Sequence, residues 1–274
     1  LSTDEFKNEA QYISETTNKR FIDHSANDRG EISVNYKRPL GDALELEVLG
    51  LSKLATGSGD SVGIVGADTS IFNVDAEAGE TIGRSVLRYK FSPELAFEGG
   101  GEIAFNYRDQ HIALLDNGAP IDITVDDVRV EELRGEGFVQ GTWRASPEWS
   151  LEAGVRIERS TITQSGDVAR ERSFTYPKPR LVATWSPAKD DQLRLRVERE
   201  VGQLNFRDFS SSIDLNSSNV STGNAELRPD QTWVYEAAYE KRFWDGAALV
   251  VTARHDDITD VVDRLPVEIL DPAG

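Results

Sequence analysis

Three segments of this chain repeat one short design: an aromatic residue, a Ser-Pro turn, then a run of alternating apolar and charged residues. They are Phe91-Ser92-Pro93-Glu94-Leu95-Ala96-Phe97, Trp143-Arg144-Ala145-Ser146-Pro147-Glu148-Trp149-Ser150-Leu151, and Trp185-Ser186-Pro187-Ala188 continuing to Gln192-Leu193-Arg194-Leu195. Proline cannot donate to a β-ladder, so each Ser-Pro pair marks a strand end. A period of two then puts all apolar residues of the following strand on one face. The pattern predicts a meander of antiparallel hairpins whose turns match at one end.

Five hairpins follow from this periodicity. In the first, Ile32, Val34 and Tyr36 alternate with polar residues, Pro39-Leu40-Gly41-Asp42 turns, and Leu44, Leu46 and Val48 return. The second sets Leu87, Tyr89 and Phe91 before its Ser-Pro turn and Leu95, Phe97, Ile103 and Phe105 after it, interrupted by Gly99-Gly100-Gly101, read as a bulge or a close approach to an internal plug. The third joins Leu133, Val139 and Trp143 to Trp149, Leu151, Ala153, Val155 and Ile157. The fourth joins Leu181, Ala183 and Trp185 through a turn at 186–191 to Leu193, Leu195 and Val197. The fifth joins Trp233, Tyr235, Ala237, Tyr239 and Phe243 through Asp245-Gly246 to Leu249, Val251 and Ala253. The first 27 residues and the segment 54–80 have loop composition, and 54–80, 109–128, 163–172 and 203–229 are expected on the rim opposite the short turns.

With 30 basic and 48 acidic residues the chain carries a net charge of −18, and it has no segregated basic patch. A polyanion repels such a chain, which excludes nucleic acid as a partner. Cysteine is absent, removing disulfides, thiolate metal sites and cysteine nucleophiles. No run approaches the ~20 apolar residues of a membrane-spanning helix, but β-strands cross a bilayer with about 9–11 residues that are apolar on one face. One wet and one apolar face also suit a soluble sheet. Two features favour a membrane barrel: aromatics beside the short turns (Phe91, Trp143, Trp149, Trp185, Phe243, Trp244) and long connections on the opposite side. The fold class expected is therefore all-β, an antiparallel meander of about ten strands forming part of a transmembrane outer-membrane β-barrel. A sheet in hydrocarbon cannot keep open edges. Residues 1–274 are accordingly expected to be a partial barrel domain. The polar, proline-containing 270–274 and a start without methionine or a leader pattern fit a piece of a longer polypeptide.

The segment Ser221-Thr222-Gly223-Asn224-Ala225-Glu226-Leu227-Arg228-Pro229-Asp230-Gln231, followed by Trp233-Val234-Tyr235-Glu236-Ala237-Ala238-Tyr239-Glu240, resembles the "GNPxLKPE" motif and following strand of TonB-dependent outer-membrane receptors. Ala225 stands where that motif has proline and Asp230 where it has glutamate. Phe174-Thr175-Tyr176-Pro177-Lys178-Pro179-Arg180 through Trp185-Ser186-Pro187 is similar to the strand and turn preceding it, and the resemblance covers about residues 30–262. It implies a barrel of ~22 strands around an N-terminal plug, in the outer membrane of a Gram-negative bacterium. It also implies import of a scarce nutrient such as a ferric siderophore, energised through TonB by parts absent from this chain. Outer-membrane lipid and a small-molecule ligand are the other partners implied. A passive porin-like channel and a secreted β-sandwich or β-solenoid binding module are the alternatives.

No catalytic, cofactor or metal site is expected. Gly135-Glu136-Gly137 with Gly141 is not followed by a helix pattern and reads as strand glycines. Asp256, Asp257 and Asp260 lack the spacing of a calcium loop and read as a solvated strand end. His24, His111 and His255 are scattered, and no Gly-x-Ser-x-Gly elbow exists. For ligand binding, Gln203-Leu204-Asn205-Phe206-Arg207-Asp208-Phe209 and Tyr107-Arg108-Asp109-Gln110-His111 place aromatic and cationic groups where strands meet outer loops. Rings and guanidinium forks grip planar or anionic groups, so Arg108, His111, Phe206 and Arg207 are the candidate ligand-binding residues.

Overall fold

The computed structural model describes residues 2–13, 18–123, 126–216, 219–221, 223–244 and 246–262. Most of them form one antiparallel sheet, as the alternation predicts. Along the chain come β1 (Ser2–Ile13), β2 (Asn18–Pro39), β3 (Leu44–Val65), β4 (Asp68–Lys90), β5 (Leu95–Asp116), β6 (Ala119–Ile121) and β7 (Asp127–Arg144). There follow β8 (Trp149–Gly166), β9 (Arg170–Ala188), β10 (Asp191–Val201), a 3-10 turn (Phe206–Phe209), β11 (Ser212–Asp214), β12 (Asn219–Ser221), β13 (Gln231–Phe243) and β14 (Ala247–Thr259). Strands pair in chain order from β1 to β14, except that β6 folds back on the tip of β5 and β11–β12 form a separate ribbon. β1 and β14 are the free edges, so the described wall is open. No helix among the described residues is long and apolar enough to cross a membrane.

The Ser-Pro turns owe their shape to the serine. Ser92 Oγ accepts the N–H groups of Glu94 (3.2 Å) and Leu95 (3.1 Å), and Ser146 Oγ accepts those of Glu148 and Trp149 (both 3.2 Å). The hydroxyl thus satisfies amides that a tight turn leaves over, while proline between them needs no partner. The third copy differs. β9 runs through Ser186-Pro187-Ala188, and the turn is confined to 189–190 because Ser186 N–H donates to Glu148 O (2.7 Å) and stays in the ladder. Aromatics gather at this rim, with Trp149 stacked on Trp185 at 5.8 Å. The Asp245 half of the fifth turn and the chain end at 263–274 lie outside the described residues.

The opposite rim departs from expectation. Residues 2–13 and 18–27 are strand rather than loop, and 54–80 is the paired upper half of β3 and β4, turning at Gly66-Ala67. β5 likewise continues to Asp116, and β8 and β9 leave only 167–169 between them. Only 202–230 is long. The strand count therefore exceeds ten. The physical reason lies in length: β3 has 22 residues and β4 has 23, about 70 Å of extended chain, whereas a bilayer needs about 9–11 residues per strand. On the surplus the outward face is largely polar and the inner face is covered in part by residues 202–230, so its sequence shows no sustained apolar period.

The register separates two faces. One, here called inner, carries residues 202–230. The outward face of β5 reads Leu95, Phe97, Gly99, Gly101, Ile103, Phe105 and then changes to Tyr107, Asp109, His111; on β7, Arg129 and Glu131 precede Leu133, Val139 and Trp143. Ile103, Val139 and Ile157 are 60%, 54% and 55% exposed, an apolar band that water alone would not tolerate. Its upper limit falls at Tyr107, whose hydroxyl donates to Glu77 (2.7 Å) beneath the Arg129 guanidinium, 5.1 Å from the ring. Leu151, Val155, Ile157, Leu193, Leu195 and Val197 share the outward face, and Glu152, Arg156, Arg194 and Arg196 the inner one.

Several inner-face charges are paired across strands. Arg88 joins Glu47 (2.7 Å), Glu98 (2.9 Å) and Glu45 (3.1 Å); Lys178 bridges Glu136 and Glu158; Arg180 reaches Glu152 (3.1 Å); and Arg196 reaches Glu236 (2.9 Å). The triple glycine is no bulge, since its register with β4 and β7 is unbroken. The close approach at Gly100 is to neighbouring strands rather than to a plug: a Cβ there would stand 2.2 Å from the Ser85 carbonyl oxygen and 3.0 Å from the Phe138 ring. That ring in turn lies under the guanidinium groups of Arg84 (5.5 Å) and Arg156 (4.7 Å).

Candidate functional site

Residues 202–230 leave the sheet and return through a narrow neck, where Gly202 N–H donates to Asp230 O (2.9 Å). Within the neck Asn205 caps the 3-10 turn, its Oδ1 accepting Arg207 N–H (3.1 Å). The turn aims Phe206 and Phe209 the same way, edge to face at 6.2 Å. Phe209 is buried with Leu227 against Val128, Val130 and Ile162 of β7 and β8, and Phe206, Leu204, Phe174 and Val168 pack around this cluster. Gly223 passes so near the Phe209 carbonyl that a Cβ would stand 2.1 Å from its oxygen, so glycine is required where the returning strand crosses. An aromatic pair that finds apolar partners only on the inner wall pulls the loop inward.

Polar contacts pin the loop at intervals. Arg172 Nη1 donates to the Glu226 (2.6 Å) and Leu227 (3.2 Å) carbonyls, Gln164 Nε2 to Phe209 O (3.4 Å), and Gln110 Nε2 to Ser211 O (3.5 Å). Leu215 reaches Gly63 of β3, so the loop spans the inner face from β3 to β9. The seam is imperfect. Gln164 Oε1 and Ser211 Oγ are buried without partners, each a cost of about 1–3 kcal/mol.

Three of the four candidate ligand residues meet at this seam. Arg108 points inward, half-buried, with Nε and Nη2 both donating to Gln110 Oε1 (3.1 and 2.8 Å). The loop's Arg207 is exposed, lies within electrostatic reach of Arg108, and no acidic group among the described residues neutralises Arg108. Phe206 is a packing residue rather than an exposed ring, so truncating it loosens the loop as well as removing a contact surface. His111 is the misplaced candidate. Three residues along a strand reverse the face, so His111 points outward, away from Arg108. The residues that sequence reasoning passed over are Gln110, Gln164 and Arg172. Gln110 has the parity of Arg108 and sits two residues before buried Ile112, an alternation the sequence did display.

His111 faces instead a carboxylate pair at the tip of the wall. Asp167 Oδ2 accepts the N–H groups of Asp126 (2.9 Å) and Asp127 (2.8 Å), which hold its carboxyl below the usual range. Asp126 is pushed up, chiefly by its side-chain hydrogen bond to Asp167. Asp126, raised in the fold, stabilises the clasp at low pH and loses that contribution as pH rises through its folded pKa. Asp167, depressed, contributes above the ordinary aspartate range and fails as pH falls through its own folded pKa. The clasp should be tightest around the ordinary aspartate range, which the two folded pKa values bracket. Asp126→Asn, whose amide donates without a titratable proton, should make amide exchange at 126–127 insensitive to pH above the ordinary aspartate range after correction for intrinsic rates. Unchanged pH dependence would show that the pair does not hold the connection.

No group of three His, Cys, Asp or Glu side chains among the described residues has metal-binding geometry. Asp256 accepts from Arg254 (2.8 Å) and Asp260 from Gln231 (2.9 Å), as a solvated strand end would.

Compared with known proteins, residues 2–271 match the family described as TonB dependent receptor-like, beta-barrel. No curated protein sequence matches. Among solved structures, the ferric citrate transporter FecA in its unliganded form aligns with a TM-score of 0.56 at 14% identity over 91% of this chain. The ferric yersiniabactin uptake receptor FyuA from Yersinia pestis gives 0.58 at 12% over 89%, and the siderophore receptor PiuA from Acinetobacter baumannii 0.54 at 12% over 88%. At such identities the likeness concerns the fold. The chain spans 42%, 37% and 40% of these three proteins.

Proposed function

The chain belongs to the TonB-dependent receptor β-barrel family, a family of transporters and receptors rather than enzymes, and we propose that it forms the ligand-facing wall of an energy-coupled importer in the Gram-negative outer membrane. Its cargo in this reading is a scarce nutrient such as a ferric siderophore, taken up with TonB acting through other parts of the receptor. The observation that carries the reading is the loop 202–230. It folds onto the inner wall and sets Arg207 beside Arg108 with no carboxylate neutralising Arg108, a grip for a ligand arriving from the outer rim. The three proteins reported above are described as a ferric citrate transporter, a ferric yersiniabactin uptake receptor and a siderophore receptor, which supports the cargo class.

A passive channel fits less well, because the longest loop occupies the inner face instead of leaving it clear. A soluble sandwich fits poorly with the exposed outward band. Arg207→Ala in the complete receptor should weaken ferric-siderophore binding at least about tenfold and reduce uptake while leaving the heat-modifiable barrel intact, since exposed loop substitutions usually change stability by within ~0.5 kcal/mol. Unchanged binding and uptake would remove Arg207 from the site, and turnover of any substrate would overthrow the transporter reading.

A further inference from the structure

Above the lipid band the outward face of β2–β5 turns polar and then, at the tip of the wall, apolar again. The register sets Ile22, Val62, Ile71, Leu115 and Pro120 side by side on β2, β3, β4, β5 and β6, all with outward parity. At a strand spacing of about 4.8 Å they form one row about 19 Å long. Lipid does not account for it. Leu115 stands about 27 Å of extended chain beyond Tyr107, which is about 20 Å above the band at a strand tilt of about 45°. The inner side of the same hairpins is apolar too, but covered: Phe21, Phe72 and Ile112 are buried, and Leu215 of the loop lies against Gly63. No element among the described residues packs on the outward row, whose aliphatic members are half-buried beside one another in the sheet.

Charge indicates what the row would meet. Over the three rows directly below it, β2–β5 carry five outward carboxylates, Asp28, Asp60, Asp75, Glu77 and Asp109, and no Lys or Arg. Asp109 meets Arg129 of β7 (3.0 Å) and His24 stands 3.8 Å from Asp60, while the other three have no ion pair among the described residues. An apolar row with acid along its lower side selects a partner of complementary build, and its length matches the apolar stripe of a helix of about 13 residues. We infer that this outward tip docks a basic amphipathic helix of another protein or peptide. The helix lies across the strands, its apolar stripe on the row from Ile22 to Leu115 and its Lys and Arg side chains reaching down to Asp60 and Asp75. A second copy of this chain is disfavoured, because insertion in one membrane sets both tips at one height and brings like acidic rows face to face. The surface is separate from the seam of Arg108 and Arg207, which lies on the inner side; the receptor reading enters only in placing this tip outside the cell.

The test titrates a fluorescent peptide of about 14 residues, Leu and Lys in helical amphipathic order, into the complete receptor held in zwitterionic phosphatidylcholine nanodiscs. Anisotropy against empty discs gives the affinity. The Lys peptide should bind the receptor at least about tenfold more tightly than empty discs, and the same peptide with Glu for Lys should not. Val62→Ser with Ile71→Ser should weaken binding at least about tenfold, since two apolar side chains lose their burial. Asp60→Asn with Asp75→Asn should weaken it to a similar degree at low salt and less at high salt. Amide exchange across β3 and β4 reports that both double variants keep the wall. Equal binding by the parent and either variant, or by the Glu peptide, would overturn the inference. So would self-association of the receptor that Val62→Ser with Ile71→Ser abolishes, because the row would then belong to a second copy. The measurement makes no use of uptake: a negative result strikes this surface and leaves the importer reading as it was, and unchanged uptake in Arg207→Ala would leave this surface standing.

Discussion

Leu195→Arg should destabilise the barrel in lipid vesicles by about 2–4 kcal/mol, the cost of a lipid-facing arginine near the bilayer midplane. Leu195 points outward, 47% exposed, between Ala183 of β9 and Ala237 of β13 in the middle of β10. Its neighbour Arg196 points inward and already has Glu236 (2.9 Å) and Glu198 (3.3 Å) as partners, so Arg196→Gln gives up charge-assisted bonds but places no charge in hydrocarbon. That second change should cost no more than about 1–2 kcal/mol. Reversible unfolding in urea from vesicles of defined thickness measures both. Equal costs would mean that the outward face of β10 meets water.

The second large effect is local. Phe209→Ala should remove about 3–5 kcal/mol of packing. That loss falls on the loop, because the buried ring belongs to 202–230 and its partners Val128, Val130 and Ile162 remain held in the ladders of β7 and β8. Hydrogen exchange should therefore show amides 203–229 losing protection while those of β7 and β8 keep theirs. A loop that stays protected would show that Arg172 and its carbonyl partners suffice, and loss of protection throughout would show that the cluster supports the whole wall.

How much of this was legible depended on what lay on each side of a strand. β8 could be read residue by residue, since Trp149, Leu151, Val155 and Ile157 fall on one face and Glu152, Arg156 and Glu158 on the other. Residues 57–60, Gly-Ser-Gly-Asp, could not: they pair regularly with Asp75, Val74 and their neighbours, yet polar groups suit both of their faces, and nothing in composition distinguishes such a strand from a loop. The same cause hid β1 and the upper part of β2. In the candidate site, the residue types singled out the loop and Arg108, which the fold brings to one seam, but grouping His111 with Arg108 ignored a parity that the neighbouring alternation already displayed. The inward fold of 202–230 was beyond reach, because it depends on Phe209 meeting Val128, Val130 and Ile162 across more than thirty intervening positions of chain.

The paired upper halves of β3 and β4, closed by Gly66-Ala67, also bear on how such a wall can change over time. A strand segment without a sustained apolar face is held in register less by such a face than by the hairpin turn and cross-strand side chains. Two residues inserted just before that turn and two just after it would therefore lengthen both strands, raise the rim by about 7 Å and leave every lipid contact below unaltered. Wall height is in this sense a free variable. Lineages can tune the depth of the outer vestibule in matched two-residue steps without renegotiating the part that the membrane holds.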